Sequence, residues 1–156
     1  MAENPEVRGC VLPLDLHYSV ADHTWIRIQE DGTVTVGMTD VAQNLAGPLL
    51  HAKPKKPGSR RKRGKPVATV ESSKWVGPVK SPISGEVIAV NEEITKDATL
   101  INRSPYKAGW IVRMQPEKLD EELGELETGE AAVDAYRERI ESEDIKACDH
   151  VDGFEV

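Results

Sequence analysis

A mainly β fold with short helices is what this sequence predicts, and three features point to it. Two β-prone runs flank a tight-turn signal: Thr24, Ile26 and Ile28 alternate with Trp25, Arg27 and Gln29, then Asp31-Gly32 precedes Thr33-Val34-Thr35-Val36. Three further β-rich runs follow, at 66–70, 85–90 and 110–114. Helical periodicity is confined to two places, around Val41 and between Val133 and Ile140.

The elements follow in order. Residues 1–16, with Pro5 and Pro13 and no apolar period, read as an irregular lead-in. After the hairpin, Thr39 is placed to cap a helix, Asp40 falls in its first turn, and Val41, Ala42 and Leu45 mark its apolar side before Gly47-Pro48 stops it. The stretch 53–66 holds three prolines, two glycines and eight cations, so it predicts an exposed loop or a twisted edge. Glu71 to Pro78 reads as a turn region between strands, and 91–100 as a polar connection with a short turn. Beyond Pro116, Val133, Tyr136 and Ile140 share one helical face, with Arg137 and Arg139 on the wet side. Residues 146–156 read as an acidic tail, of which about the last eight residues fray.

Charge is distributed unevenly. The chain of 156 residues carries a formal −7, yet residues 41–70 hold no acid and eight cations (Lys53, Lys55, Lys56, Arg60, Arg61, Lys62, Arg63 and Lys65), which leaves −15 elsewhere. A basic-loop nucleic-acid-binding module is one reading. The surrounding acidity and the lack of aromatics within the window argue against it, so no nucleic acid is expected as a partner. At 38% hydrophobic and 30% charged residues, the composition suits a single globular domain. No apolar run is long enough for a membrane span, and MAENPEVRGC has acids where a secretory leader needs cations, so a cytoplasmic location is expected. Cys10 and Cys148 form no C-x-x-C and are expected to be ordinary reduced thiols. His17, His23, His51 and His150 lack metal-pair spacing, so no metal is expected. No hydrolase, phosphate-loop or dinucleotide motif is present, and the chain reads as a non-catalytic protein.

One lysine stands out. Lys74 sits in the turn between two apolar strands, with Ser72, Ser73 and Gly77 as small neighbours. The segment Val70-Glu71-Ser72-Ser73-Lys74 resembles the V-E-S-V-K lipoylation site of the glycine cleavage H-protein family. His23-Thr24-Trp25 is similar to that family's H-x-W opening. Val36-Gly37-Met38-Thr39-Asp40 with Ala42-Gln43 and Gly47 resembles its V-G-I-T-x-x-A-Q-x-x-x-G segment. Pro82 and Ser84-Gly85-Glu86, with Gly85 eleven residues after the lysine, fit its spacing, as do Asn102-Arg103-Ser104-Pro105-Tyr106 and Gly109-Trp110-Ile111. The resemblance covers residues 17–145, with 1–16 as lead-in and 146–156 as tail.

It implies a barrel-sandwich hybrid of the hammerhead, lipoyl-domain-like kind with a C-terminal helix, and a carrier rather than an enzyme. Lipoate would be held as an amide on Lys74, and Glu71, Ser72, Ser73, Trp75 and Gly85 would surround the arm or guide lipoylation. A biotinyl carrier would place methionines where Ser73 and Trp75 stand. Two departures matter: Gly47 to Gly58 is proline-rich and basic where the family keeps a strand and an acidic or neutral loop, and Trp75-Val76-Gly77-Pro78 replaces A-A-x-D. Trp75 is read either as a contact for arm or partner, or as packing. With Val7-Arg8-Gly9-Cys10, these departures resemble the lipoate-binding proteins of the sulfur-oxidising, heterodisulfide-reductase-like pathway. That resemblance implies a lipoate ligase or other lipoylating enzyme, the heterodisulfide-reductase-like complex and dihydrolipoamide dehydrogenase as partners. The alternative is a glycine cleavage H protein that serves glycine decarboxylase and aminomethyltransferase.

Overall fold

The computed structural model describes residues 4–156. The hairpin read from the sequence forms as β4 (Thr24–Ile28) and β5 (Val34–Met38), paired from Thr24–Met38 to Ile28–Val34. Its turn is closed by Asp31, whose carboxylate accepts from the Thr33 amide and hydroxyl; these bonds hold its pKa below the usual carboxylate value. The predicted alternation along β4 fails at Trp25. Both Trp25 and Ile26 are buried, because each face of the strand has its own cluster to pack against.

The strands form two main sheets. Around β4 and β5 lie β3 (His17–Ser19), β7 (Arg60–Arg61), β10 (Gly85–Val90), β11 (Val112–Pro116) and β12 (Glu127–Thr128), in the order β12-β3-β4-β5-β11-β10-β7. A three-stranded sheet is made from β6 (Leu49–Pro54), β8 (Pro66–Ser72) and β9 (Val76–Lys80), in the order β6-β8-β9. Val36, Ile26 and Met114 of the first sheet and Val67, Val70 and Val79 of the second bury into one core. The barrel-sandwich architecture with a C-terminal helix, α5 (Gly129–Ser142), is therefore present. Helix α5 buries Val133, Tyr136 and Ile140 as their spacing required, against a second cluster that includes Leu16, Tyr18 and Trp25.

Several expectations need correction. Within the lead-in, β1 (Glu6–Val7) and β2 (Cys10–Val11) pair as a ribbon, and Cys10, Leu12 and Leu16 are fully buried. The polar connection after β10 contains two short helices, α2 (Glu92–Lys96) and α3 (Thr99–Arg103); the Asn91 side chain caps α2 by accepting from the Glu93 amide. The one or two helices expected beyond Pro116 are both there: a short one, α4 (Leu119–Glu122), precedes α5. The basic window is part edge and part loop. Lys53 and Pro54 continue β6, while Arg60 and Arg61 pair with Glu86 and Gly85.

The cysteines are not free thiols: Cys10 and Cys148 form a disulfide with Cα atoms 4.9 Å apart across 138 residues of sequence. Sequence spacing could not show this, because the pairing depends on the tail returning to the ribbon. The tail itself is packed. His150 and Phe154 stack at 3.6 Å between ring centres, and the Glu155 amide donates to the Arg103 carbonyl at 2.8 Å.

Candidate functional site

Lys74 lies at the tip of the β8–β9 hairpin, exposed, with Ser73 and Trp75 beside it. The tip is tight because the Ser72 amide donates to the Trp75 carbonyl at 2.7 Å. Ser72 is buried beneath it, while Glu71 is exposed and pairs in register with Val76 and His51. Next to the lysine, Ser72 is a small buried hydroxyl and Ser73 a small exposed one. The lysine side chain folds back over Gly47, the residue that ends helix α1 (Asp40–Ala46). Gly47 has φ of 77°, which favours glycine by conformation, and a Cβ there would meet Lys74 Cε at 3.1 Å, so the lysine end would have to shift slightly.

Helix α1 is where the sequence placed it. The Thr39 hydroxyl accepts from the Ala42 amide at 3.1 Å, and the Gly47 amide donates to Gln43. Leu45, expected to bury with Val41, is instead 45% exposed. The reason is a cleft of about 420 Å³ between α1 and the hairpin, lined by Leu45, Ala42, Ala46, Met38, His23 and Asp22 on one side and by Lys74, Trp75, Pro78 and Val79 on the other. Trp75 is 41% exposed, with its ring against Gly77, so it forms a wall of the cleft as well as packing.

His23 is the cleft residue that sequence reasoning placed only in a motif and not in the site. Its ring stacks on Tyr136, and Nδ1 lies 3.2 Å from the tyrosine hydroxyl. Burial, with the nearby Arg139 guanidinium adding to it, pushes its pKa down to about 4, so the ring is neutral at neutral pH. Only the H-x-W spacing could have flagged it.

The remaining motif residues hold the site without touching it. Trp25 donates from Nε1 to the Met38 and Pro105 carbonyls at 3.0 and 3.1 Å. Asn102 donates to the Gly47 carbonyl at 2.9 Å and accepts from the Leu49 amide at 2.9 Å, which fixes the end of α1 against the start of β6. Tyr106 donates to the Val11 carbonyl and accepts from the Asp40 amide, at 2.6 and 2.9 Å. Gly85 is not brought to Lys74. It pairs with Arg61 and Pro116 near the other end of the hairpin, where a Cβ would lie 2.3 Å from the Gln115 carbonyl oxygen. Its glycine is explained by that close approach.

The basic window also lies at that far end, since Pro66 pairs with Lys80 six residues from the tip. Two of its three arginines meet carboxylates, Arg60 with Glu117 at 2.6 Å and Glu86 at 3.6 Å, and Arg63 with Glu122 at 4.0 Å.

The glycine cleavage H-protein family profile matches residues 16–139. The chain is 48% identical over 146 residues to glycine cleavage system H protein 2 of Aquifex aeolicus, covering 93% of this chain and 91% of that one. It is 41% identical to the probable glycine cleavage system H protein 2 of Saccharolobus solfataricus, over 88% and 93% of the two chains. The solved glycine cleavage system H protein of Mycobacterium marinum superposes with a TM-score of 0.71 at 34% identity, covering 80% of this chain and 98% of that one. With profile, sequence and fold in agreement over most of its length, the chain belongs to the glycine cleavage H-protein family.

Proposed function

We propose that this lipoyl carrier holds its lipoate as an amide on Lys74 and works as a glycine cleavage H protein, passing the aminomethyl group from glycine decarboxylase to aminomethyltransferase. One observation carries the reading: the exposed lysine sits at a hairpin tip and lies along the mouth of a largely apolar cleft. When bound, lipoate supplies a dithiol/disulfide couple on a long flexible arm.

The residues present fit such a group. Acylation removes the ammonium charge, so an arm anchored at Lys74 can lie against Leu45, Met38 and Val79 at no cost in buried charge. Trp75 offers a rigid wall to an apolar chain. Asp22, Thr24 and the neutral ring of His23 are polar groups in the lining able to meet a polar end of the arm. Glu71, Ser72 and Ser73 form the surface that a lipoate ligase or other lipoylating enzyme would read. Reoxidation falls to dihydrolipoamide dehydrogenase, in a cytoplasmic setting. No helix among the described residues is long and apolar enough to cross a membrane.

The relatives' names favour glycine over sulfur chemistry. Transfer of sulfur-bound intermediates to a heterodisulfide-reductase-like complex is the second reading. The observation behind it is the altered tip, where Trp75 and the 62%-exposed Val76 present an apolar surface beside the anchor. The experiment is intact mass after co-expression with a lipoylating enzyme, followed by reconstitution with glycine decarboxylase and labelled glycine. The lipoyl mass increment and release of labelled carbon dioxide are expected. A Lys74→Arg chain that still gains the increment sinks the attachment site, and a fully lipoylated protein that supports no release sinks the glycine reading.

A further inference from the structure

We propose that reduction of the Cys10–Cys148 disulfide uncovers a binding site for a zinc-like divalent cation, with Cys148, His150 and Asp40 as its protein ligands. The site lies on the side of α1 away from the cleft. Asp40 carboxylate, Cys148 sulfur and His150 imidazole each offer a donor atom, and the three donors all lie within 4.8 Å of one another. Sulfur, imidazole nitrogen and carboxylate oxygen are together the donor set of a zinc site rather than of magnesium or calcium.

The cluster is already oriented. Asp40 is fully buried, yet its Oδ2 accepts from the Val11 amide at 2.8 Å and its Oδ1 from Gln43 Nε2 at 2.7 Å. These bonds aim the carboxylate at His150, whose Nε2 lies 2.6 Å from Oδ2. Stacking on Phe154, at an interplanar angle of 7°, fixes the imidazole plane. Outer hydrogen bonds and packing of this kind are what hold ligands in metal sites. Access exists as well: a cleft of about 490 Å³, lined by Gln43, Asn44, Asp149 and His150, opens to solvent at this point and can supply a water as fourth ligand.

In the oxidised chain the Cys148 sulfur is bonded to Cys10 and is not a thiolate, so it is no ligand. A dithiol reductant changes that: two electrons and two protons pass to the protein, the reductant closes to its own disulfide, and the Cys10–Cys148 bond becomes two thiols. The Cys148 thiol then loses its proton to solvent as sulfur bonds the cation. The cation takes the place of the hydrogen between His150 Nε2 and Asp40: that proton leaves Nε2 through solvent, and the ring binds as the tautomer with its N–H at Nδ1. A tetrahedral site sets its donors roughly 3.5 Å apart, so the His150 Nε2–Asp40 Oδ2 pair must open from 2.6 Å while the Cys148 sulfur, within 4.8 Å of both, closes on them by about 1 Å. Release from Cys10 gives Cys148 that freedom.

Cobalt(II) titration of the full chain tests this, since a cobalt–thiolate bond gives a charge-transfer band in the near ultraviolet. The reduced chain should bind one equivalent with that band, displaced by zinc, and the oxidised chain should show none. Cys10→Ser leaves Cys148 permanently unpaired, so it should bind without reductant. Cys148→Ser should lose the band, and His150→Ala should weaken binding at least tenfold. No uptake by the reduced chain overturns the proposal, as does uptake undiminished in Cys148→Ser, or a Cys10→Ser chain that is folded by circular dichroism and binds nothing. Should Cys10→Ser not fold, the reduced wild-type titration decides alone.

Discussion

The two sides of helix α1 are built in opposite ways. Toward the hairpin, Ala42, Leu45 and Ala46 face an open, largely apolar cleft, and Leu45 stays 45% exposed. Toward the tail, Asp40 and Asn44 are tied down: Asp40 to Val11 and His150, and Asn44 to the Lys146 and Ala147 carbonyls and the Asp149 amide. A disulfide closes that side covalently. A seven-residue helix has little stability of its own, so packing has to hold it. One side supplies the rigidity that lets the other remain unfilled.

Opening the closed side should have the largest effect. The bridge spans 138 residues, and chain-entropy arguments put its contribution at roughly 5 kcal/mol. Denaturant unfolding of oxidised and reduced protein in chelator should therefore give midpoints separated by more than 1 M urea, at an m-value of about 2 kcal/mol/M. Equal midpoints would mean that hydrogen bonds alone hold the tail.

Next in size is acid sensitivity on the open side. His23 has its pKa lowered to about 4 in the folded chain, chiefly by burial and secondly by Arg139. The unfolded chain, titrating near 6.5, binds more protons between these values, so stability is complete above pH 6.5 and falls as pH drops toward 4. The loss over that window is on the order of 3 kcal/mol. His23→Gln should flatten this part of the stability–pH curve; an unchanged slope would assign the acid sensitivity to other groups.

Legibility in the sequence follows the same division. The hairpin, α1 and the buried face of α5 rest on local patterns, a turn dipeptide, a cap and a helical period, and all three form where those patterns put them. Lys74 stood out for the same reason, since a turn between two strands is a local feature. Long-range closure was not legible. The Cys10–Cys148 bond, the Asp40–His150 contact and the ribbon at Glu6–Val11 each join residues whose proximity exists only once the tail has returned. His23 was hidden because a lone histidine shows no environment until Tyr136 is stacked on it and the Arg139 charge is brought near. Gly85 carried a motif signal with a packing cause.

Asn102 joins the end of α1 to β6, and its loss should rank third. Removing its side chain leaves the buried Leu49 amide without a partner and frees the Gly47 carbonyl beneath Lys74. Asn102→Ala should cost about 2 kcal/mol. It should also slow lipoylation, since the glycine on which the lysine rests is no longer held; a stable but poorly lipoylated chain is the outcome specific to this role.

The smallest stability effect belongs to the open face, and it separates the two sides of α1 most sharply. Leu45 is largely exposed, so Leu45→Ser should change stability by no more than about 0.5 kcal/mol, whereas a buried core leucine would cost several times that. Its effect should show on the arm instead. With part of the cleft wall made polar, a lipoyl group on Lys74 gains less from lying against it and spends more time in solvent, where an added thiol reductant reaches it sooner. Rates of dithiolane reduction should rise in Leu45→Ser while the unfolding midpoint stays fixed. A lowered midpoint with unchanged reduction would make Leu45 a packing residue and leave the cleft with no part in holding the arm.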